Sequence, residues 1–399
     1  LASVVQSVGL FTYNGLENGE SAVSDKAWFD AIGQDLLKIR ELGGLWSAAR
    51  PVNADVALLN SFTTDAFMAP KGLEQGLWWQ FHLGEFAHGV LARTHVNVEV
   101  IGEECINKGF LKNYHALVLM GCKYLPQSTA RKIKEYIKRG GKVYYDKQTT
   151  VDFGGAIGIP FDFSIYRDQV VNGWTGKAPK DLRDVYKSML IQSQYIDSAM
   201  KTIPRSFWVD DYRAVCRLLD IPGSRILYVV NGSQQNYSAI PEERINPVDI
   251  SPRITVKGKY HIYDLYNHCL VKPVWKTLGT SWREIIPAGE GIAFLITREP
   301  FGNLKIESAS EVKSGTEISI SVQNPSLDGK TLNKAAVPVT ITCTDPDGRS
   351  LGFGGSVLIT DGIWNRSLKL ASNAPTGKYS IKVLNLANGS IATHEISVS

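Results

Sequence analysis

The sequence predicts a multidomain chain of α/β plus all-β class, with a parallel sheet first and antiparallel β-sandwiches after it. Three observations carry that expectation. Between Ala54 and Asp146, short apolar runs alternate with helical patterns, which is the signature of βαβ units. From about residue 207 the pattern becomes apolar/polar alternation punctuated by Gly and Pro turns, which reads as antiparallel strands. The length of 399 residues leaves room for two to four domains at ~100–200 residues each.

Composition narrows the class. Hydrophobic residues at 44% and charged residues at 21% are those of a globular protein with sizeable cores. The net charge is +4 and Lys and Arg are spread along the chain, so no nucleic-acid partner is implied. No apolar run reaches the ~18 residues of a membrane helix, so no membrane span is predicted. The chain begins at Leu1, and the first eight residues lack the basic start of a signal peptide; it reads as a piece of a longer polypeptide. Five cysteines, Cys105, Cys122, Cys216, Cys269 and Cys343, have neither zinc spacing nor the density of a disulfide scaffold. No metal and no cofactor are predicted. Asp345, Asp347 and Asp361 fit turn chemistry better than calcium.

The first segment, residues 1–53, opens with a strand pattern over Ser7 to Tyr13 and a polar loop over Asn14 to Glu20. A helix follows from about Asp25, with Ser24 as N-cap and Gly43-Gly44 as its stop. One strand and one helix cannot bury a core alone, so this segment must complete a sheet elsewhere.

Residues 54–206 carry the parallel sheet. Apolar runs lie at Asp55 to Phe62, Val96 to Ile101, His115 to Gly121 and Lys142 to Asp146, with helices over about Leu73 to Arg93, Gln127 to Arg139 and Asp181 to Lys201. Parallel sheets place ligands beyond the carboxyl ends of their strands. Those ends read Asn60-Ser61-Phe62, Gly121-Cys122-Lys123 and Asp146-Lys147-Gln148, and none is a recognisable catalytic set. The segment from Leu73 to Leu91 is unusually aromatic: Trp78, Trp79, Phe81 and Phe86 exceed what one ~100° apolar stripe accommodates. Either the surplus forms a sugar platform or partner surface, or the helix is buried on two sides. His82 and His88 are not at zinc-helix spacing. Trp174 lies in a Gly-rich loop, as a ligand contact or as a loop anchor.

The strand, loop and helix of residues 1–53, the junction from Arg40 to Val52, the following strand Asp55 to Leu59, and the pairs Gly43-Gly44 and Gly140-Gly141 together resemble β-galactosidase-like glycoside hydrolases. In these a TIM barrel precedes a trimerisation domain of glutamine-amidotransferase-like fold. The resemblance covers roughly residues 1–150. It implies that residues 1–53 are the last strand and helix of a barrel, and that 54–206 form a flavodoxin/amidotransferase-like domain. The paired glutamates would lie in a preceding N-terminal TIM-barrel polypeptide, which would be a partner. It also implies a homo-oligomer. Tyr13, Asn14, Glu17 and Glu20 would follow a barrel strand and face its sugar site, or else form a solvated loop. An active amidotransferase-like site needs a Cys nucleophile on an elbow and a His base. The elbow position falls at Asp146-Lys147-Gln148, and no His lies between His115 and His261. The domain is therefore expected to be inactive, with catalytic residues none. Cys122 is read as a buried structural thiol, with a cysteine amidase as the weaker alternative.

Residues 207–302 are similar to the small β-domain that closes many glycoside hydrolases, with Trp275 and Trp282 as lectin-like candidates. Residues 303–399, with the late-strand pattern Thr376 to Ile381, resemble the Ig-like modules of bacterial surface proteins. The reading that unites these parts is a non-catalytic C-terminal portion of a large glycoside-hydrolase-like protein. It would serve oligomerisation or scaffolding and shape a carbohydrate site, in an extracellular, cell-surface or periplasmic location. The alternative is a structural cell-surface or S-layer-type protein that hydrolyses nothing.

Overall fold

The computed structural model describes residues 36–71, 79–164, 182–233, 248–277, 279–329 and 331–399. The strand expected at Ser7 to Tyr13 lies outside these residues.

Residues 36–41 are helical, and after Leu42 the chain enters α1 (Gly43–Ala48). Gly43-Gly44 was expected to stop the helix; instead the pair opens a further helical segment. The reason is contact rather than capping. A Cβ on Gly44 would sit 3.0 Å from the Leu358 nitrogen, so glycine lets this segment lie directly against a strand. Leu42, Leu45 and Ala49 are buried there. The two-residue strand β1 (Arg50–Pro51) follows.

The parallel sheet comprises β2 (Val56–Asn60), β3 (Val98–Gly102), β4 (Ala116–Leu119), β5 (Lys142–Tyr145) and β6 (Ile157–Gly158), in the spatial order β3-β2-β4-β5-β6. All its pairings are parallel, with Val56 opposite both Val98 and Ala116, and Ala116 opposite Lys142. In chain order this is 2-1-3-4-5, a doubly wound sheet whose direction of growth reverses between β2 and β4. Its central strands β2 and β4 are buried at nearly every position because both faces are covered there. On one face Val56, Leu58, Val118 and Tyr144 pack with Leu83, Phe86 and Val90 of α2 (Trp79–Ala92) and Met189 and Ile196 of α3 (Leu182–Ala199). On the other, Ala57, Leu59, Leu117 and Val143 pack with Ile106 and with Ile133 of α4 (Gln127–Lys138). The period-2 switch of side chains along a strand makes this division.

The antiparallel part forms two facing sheets. Strands β7 (Phe207–Val209), β8 (Ala214–Ile221), β9 (Ser224–Asn231), β10 (Arg253–Val256), β11 (His261–Asp264), β12 (Cys269–Leu270), β13 (Val274–Lys276), β14 (Gly279–Arg283) and β15 (Gly291–Thr297) follow one another in the chain. They make a sheet of order β1-β8-β9-β15-β11-β12 and one of order β13-β14-β10-β7. Arg50 pairs opposite Asp220, so the junction before the α/β region is an edge of this later sheet. Phe207, Leu227, Ile254, Trp282 and Phe294 lie between the sheets. Trp282 is only 3% exposed and meets Phe294 edge-on at 5.1 Å. As a lectin-like surface candidate it is corrected: Trp282 belongs to the core between the two sheets. Trp275, on the edge strand, is 57% exposed.

The last strands are β16 (Lys305–Glu307), β17 (Glu311–Val312), β18 (Glu317–Gln323), β19 (Val337–Thr344), β20 (Ser350–Ile359), β21 (Ile363–Lys369), β22 (Gly377–Asn385) and β23 (Ile391–Val398). They form sheets of order β16-β18-β21 and β17-β23-β22-β19-β20. One apolar cluster joins Ile318, Val339 and Ile381 of these sheets to Leu219, Ile226 and Leu295 of the preceding sandwich, and to Leu42 and Leu45. The two β regions and α1 thus share a core.

Candidate functional site

In a doubly wound sheet, ligands bind where the strand order reverses, here beyond the ends of β2 and β4. Ser61 follows β2 and caps the helix Phe62–Met68, its hydroxyl accepting from the Thr64 nitrogen at 3.0 Å. The same hydroxyl donates to Glu103 Oε1 at 2.7 Å. Thr63 donates to Glu103 through its nitrogen at 3.3 Å and through its hydroxyl at 2.8 Å. Helix N-termini after such strands commonly hold a ligand's anion; here the protein's own carboxylate occupies that place. Thr64 Oγ1 accepts from the nitrogens of Lys123 and Tyr124 and donates to the Tyr124 carbonyl at 2.8 Å. Gln80 completes the closure. It accepts from Ser61 N at 3.0 Å and donates to the Met120 and Gly121 carbonyls at 2.9 and 3.2 Å. Ser61, Thr64 and Gln80 are buried, so the crevice is packed with hydrogen-bonded side chains.

Cys122 lies in this packing, 1% exposed. Burial pushes its thiol up to about 12, with Glu103 and Asp146 adding in the same direction. A thiol nucleophile needs the opposite shift. The expected burial of Cys122 matches the geometry. Asp146, at the elbow position, is fully buried. Its Oδ1 accepts from Gly121 N at 2.9 Å, Thr149 N at 3.0 Å and Thr149 Oγ1 at 2.7 Å, while Oδ2 has no partner among the described residues. Burial raises its pKa against the lowering effect of those donors. Asp146 ties β5 to the segment after β4.

Above the filled crevice stands an aromatic rim. Phe62 is 78% exposed and Phe67 62% exposed, and Phe67 stacks on Tyr124 at 5.2 Å between ring centroids. Sequence reasoning missed these three. The available signal was that Phe62 and Tyr124 lie in the segments following the ends of β2 and β4, combined with the sheet order. Of the predicted carbohydrate residues, Tyr13, Asn14, Glu17, Glu20, Trp78 and Trp174 lie outside the described residues, and Trp79 is described by backbone alone. Phe86, part of the aromatic surplus, faces the sheet and is buried against Phe161 and Phe163.

A second polar cluster joins the parallel sheet region to the sandwich. His95, buried at φ +60°, has Nε2 3.2 Å from the Ala214 carbonyl and stacks on Tyr212 at 6.1 Å. Burial lowers its pKa to about 4. Arg93 donates to the Gly89 and Gly232 carbonyls at 3.0 and 3.2 Å, and Arg217 to the Val98 carbonyl at 3.1 Å. Buried Arg93 and His95 and half-buried Arg217, bonded to backbone carbonyls across the boundary, make this a joint.

No family model matches the chain, and no curated protein matches it. Among solved structures it is similar to Gan42B, a GH42 β-galactosidase, at 11% identity and TM-score 0.43, over 69% of this chain and 44% of that one. It is similar to the β-galactosidase from Bacillus circulans sp. alkalophilus at 11% identity and TM-score 0.42, over 68% and 46%. The exo-carrageenase GH42 from Bacteroides ovatus matches at 10% identity and TM-score 0.37, over 70% and 34%. The chain spans less than half the length of these proteins. The likeness is a distant one.

Proposed function

We propose that this chain is a non-catalytic part of a glycoside-hydrolase-related protein, in which the amidotransferase-like region serves assembly. The observation that carries the reading is the contrast at the strand ends. The switch-point crevice is filled by Ser61, Thr64, Gln80, Glu103 and Cys122, while Phe62, Phe67 and Tyr124 stand exposed outside it. Exposed aromatic clusters on an otherwise polar surface mark contact faces. The occupant is a second copy of this chain, as the resemblance to trimerisation domains implies. In this reading the C-terminal Ig-like module is a spacer, and a preceding polypeptide carries the sugar chemistry.

Sedimentation velocity tests the assembly. The wild-type chain is expected to self-associate at micromolar concentration, and the pair Phe62→Ser with Phe67→Ser to move to monomer without loss of folded signal. A wild-type chain that stays monomeric throughout would remove the assembly role. The coding sequence upstream of residue 1 is expected to encode a barrel with two glutamates at strand ends; a lattice-type repeat there would favour the surface-protein alternative.

A further inference from the structure

The opposite end of the parallel sheet, where β4 and β5 begin, carries a cavity of ≈ 400 Å³. The turn Gly140-Gly141 shapes it. Gly140 has φ +90°, and a Cβ on Gly141 would fall 2.4 Å from ring carbons of Tyr136, so the glycine pair is what allows that ring to lie against the turn. Tyr136 Oη donates to the Tyr114 carbonyl at 3.0 Å, and Tyr114 Oη donates to Glu99 at 2.7 Å. The wall is therefore held in place before any ligand arrives.

Its charge is one-sided. Lys112, Lys132 and Arg139 line the cavity with His115, against the single carboxylate Glu135. Glu135 is engaged by Lys132 at 3.2 Å, and Lys112 and Arg139 have no ion-pair partner among the described residues. Cations with no carboxylate to pair with, set around a concave wall, concentrate anions there. The volume falls in the ~300–1,000 Å³ range of small-molecule sites, far more than a bare inorganic ion fills.

We propose that this cavity binds an acidic saccharide of about disaccharide size, its acidic groups held by Lys112 and Arg139 and its ring body lying against Tyr136 and Leu111. The requirement for an extended organic anion stands on the cavity itself; the saccharide body rests on the carbohydrate-related reading above. Calorimetric titration of the 399-residue chain with digalacturonate tests it, with lactose, citrate and inorganic sulfate as comparison ligands. Digalacturonate is expected to bind, and the pair Lys112→Glu with Arg139→Glu to weaken it at least tenfold while the melting temperature stays unchanged. Equal binding of lactose would overturn the charge requirement, and sulfate as tight as digalacturonate would overturn the extended ligand. Citrate binding without digalacturonate would overturn the saccharide, leaving the assembly reading to its own sedimentation test. Absence of digalacturonate binding at 10 mM, or binding indifferent to the two substitutions, would end the proposal.

Discussion

Gly44 lies against the backbone of Leu358 so closely that a Cβ there would be 3.0 Å from the Leu358 nitrogen and 3.2 Å from the Val357 carbonyl carbon. Ser356 of the same strand donates its hydroxyl to the Glu41 carbonyl. Backbone cannot yield as a side-chain tip can, so Gly44→Val should cost about 1–3 kcal/mol and lower the melting temperature. Gly43, with open space around its Cβ position, is the control: Gly43→Ala should be neutral or stabilise by up to about 1 kcal/mol, from helix propensity. Equal melting of Gly44→Val and wild type would mean that α1 does not dock on β20 in solution.

The His95 imidazole is held neutral by burial, with its pKa lowered to about 4. Unfolded, it binds a proton near pH 6.5, so between about 4 and 6.5 the unfolded state holds more protons than the folded one. Stability therefore rises with pH across that window and is complete above it. From pH 5 to pH 7 the group contributes a rise of about 2 kcal/mol. His95→Asn retains a residue tolerant of positive φ and should flatten the slope by that amount in urea titrations. Identical slopes for the two proteins would show that His95 is charged or solvated in the folded state.

The thiols should sort by burial. Cys269 is exposed and Cys105 half-exposed, whereas Cys122, Cys216 and Cys343 are buried, with their pKa values raised. With a thiol-specific disulfide reagent at pH 8.5, the native protein is expected to release colour from Cys269 and then Cys105. The other three should react only after denaturant. Rapid native labelling of Cys122, mapped by peptide mass spectrometry, would contradict the packed crevice and favour the amidase alternative.

The parallel sheet was legible because its runs are local: Val56 to Asn60, Ala116 to Leu119 and Lys142 to Tyr145 each sit inside an apolar stretch bounded by helix patterns. Trp282 was misplaced because alternation names two faces without saying which one a second sheet will cover. Gly43-Gly44 was misread for a related reason. A glycine pair means chain termination or close approach, and only the approaching strand distinguishes them.

The crevice shows the same limit. Ser61, Glu103 and Tyr124 are ordinary loop and helix-start residues in sequence, and nothing local says that they converge. Their meeting depends on the order β3-β2-β4, which puts three strand ends side by side.

Periodicity and turn chemistry, which act over a few residues, were enough for the sequence alone to determine layers and class: parallel α/β first, antiparallel sheets after. Tertiary structure decided what the layers do to each other. It filled the switch-point crevice, left Phe62 and Phe67 outside it, and merged α1 with two β regions into one core. Those outcomes depend on contacts between residues far apart in the chain, whose geometry no local pattern encodes.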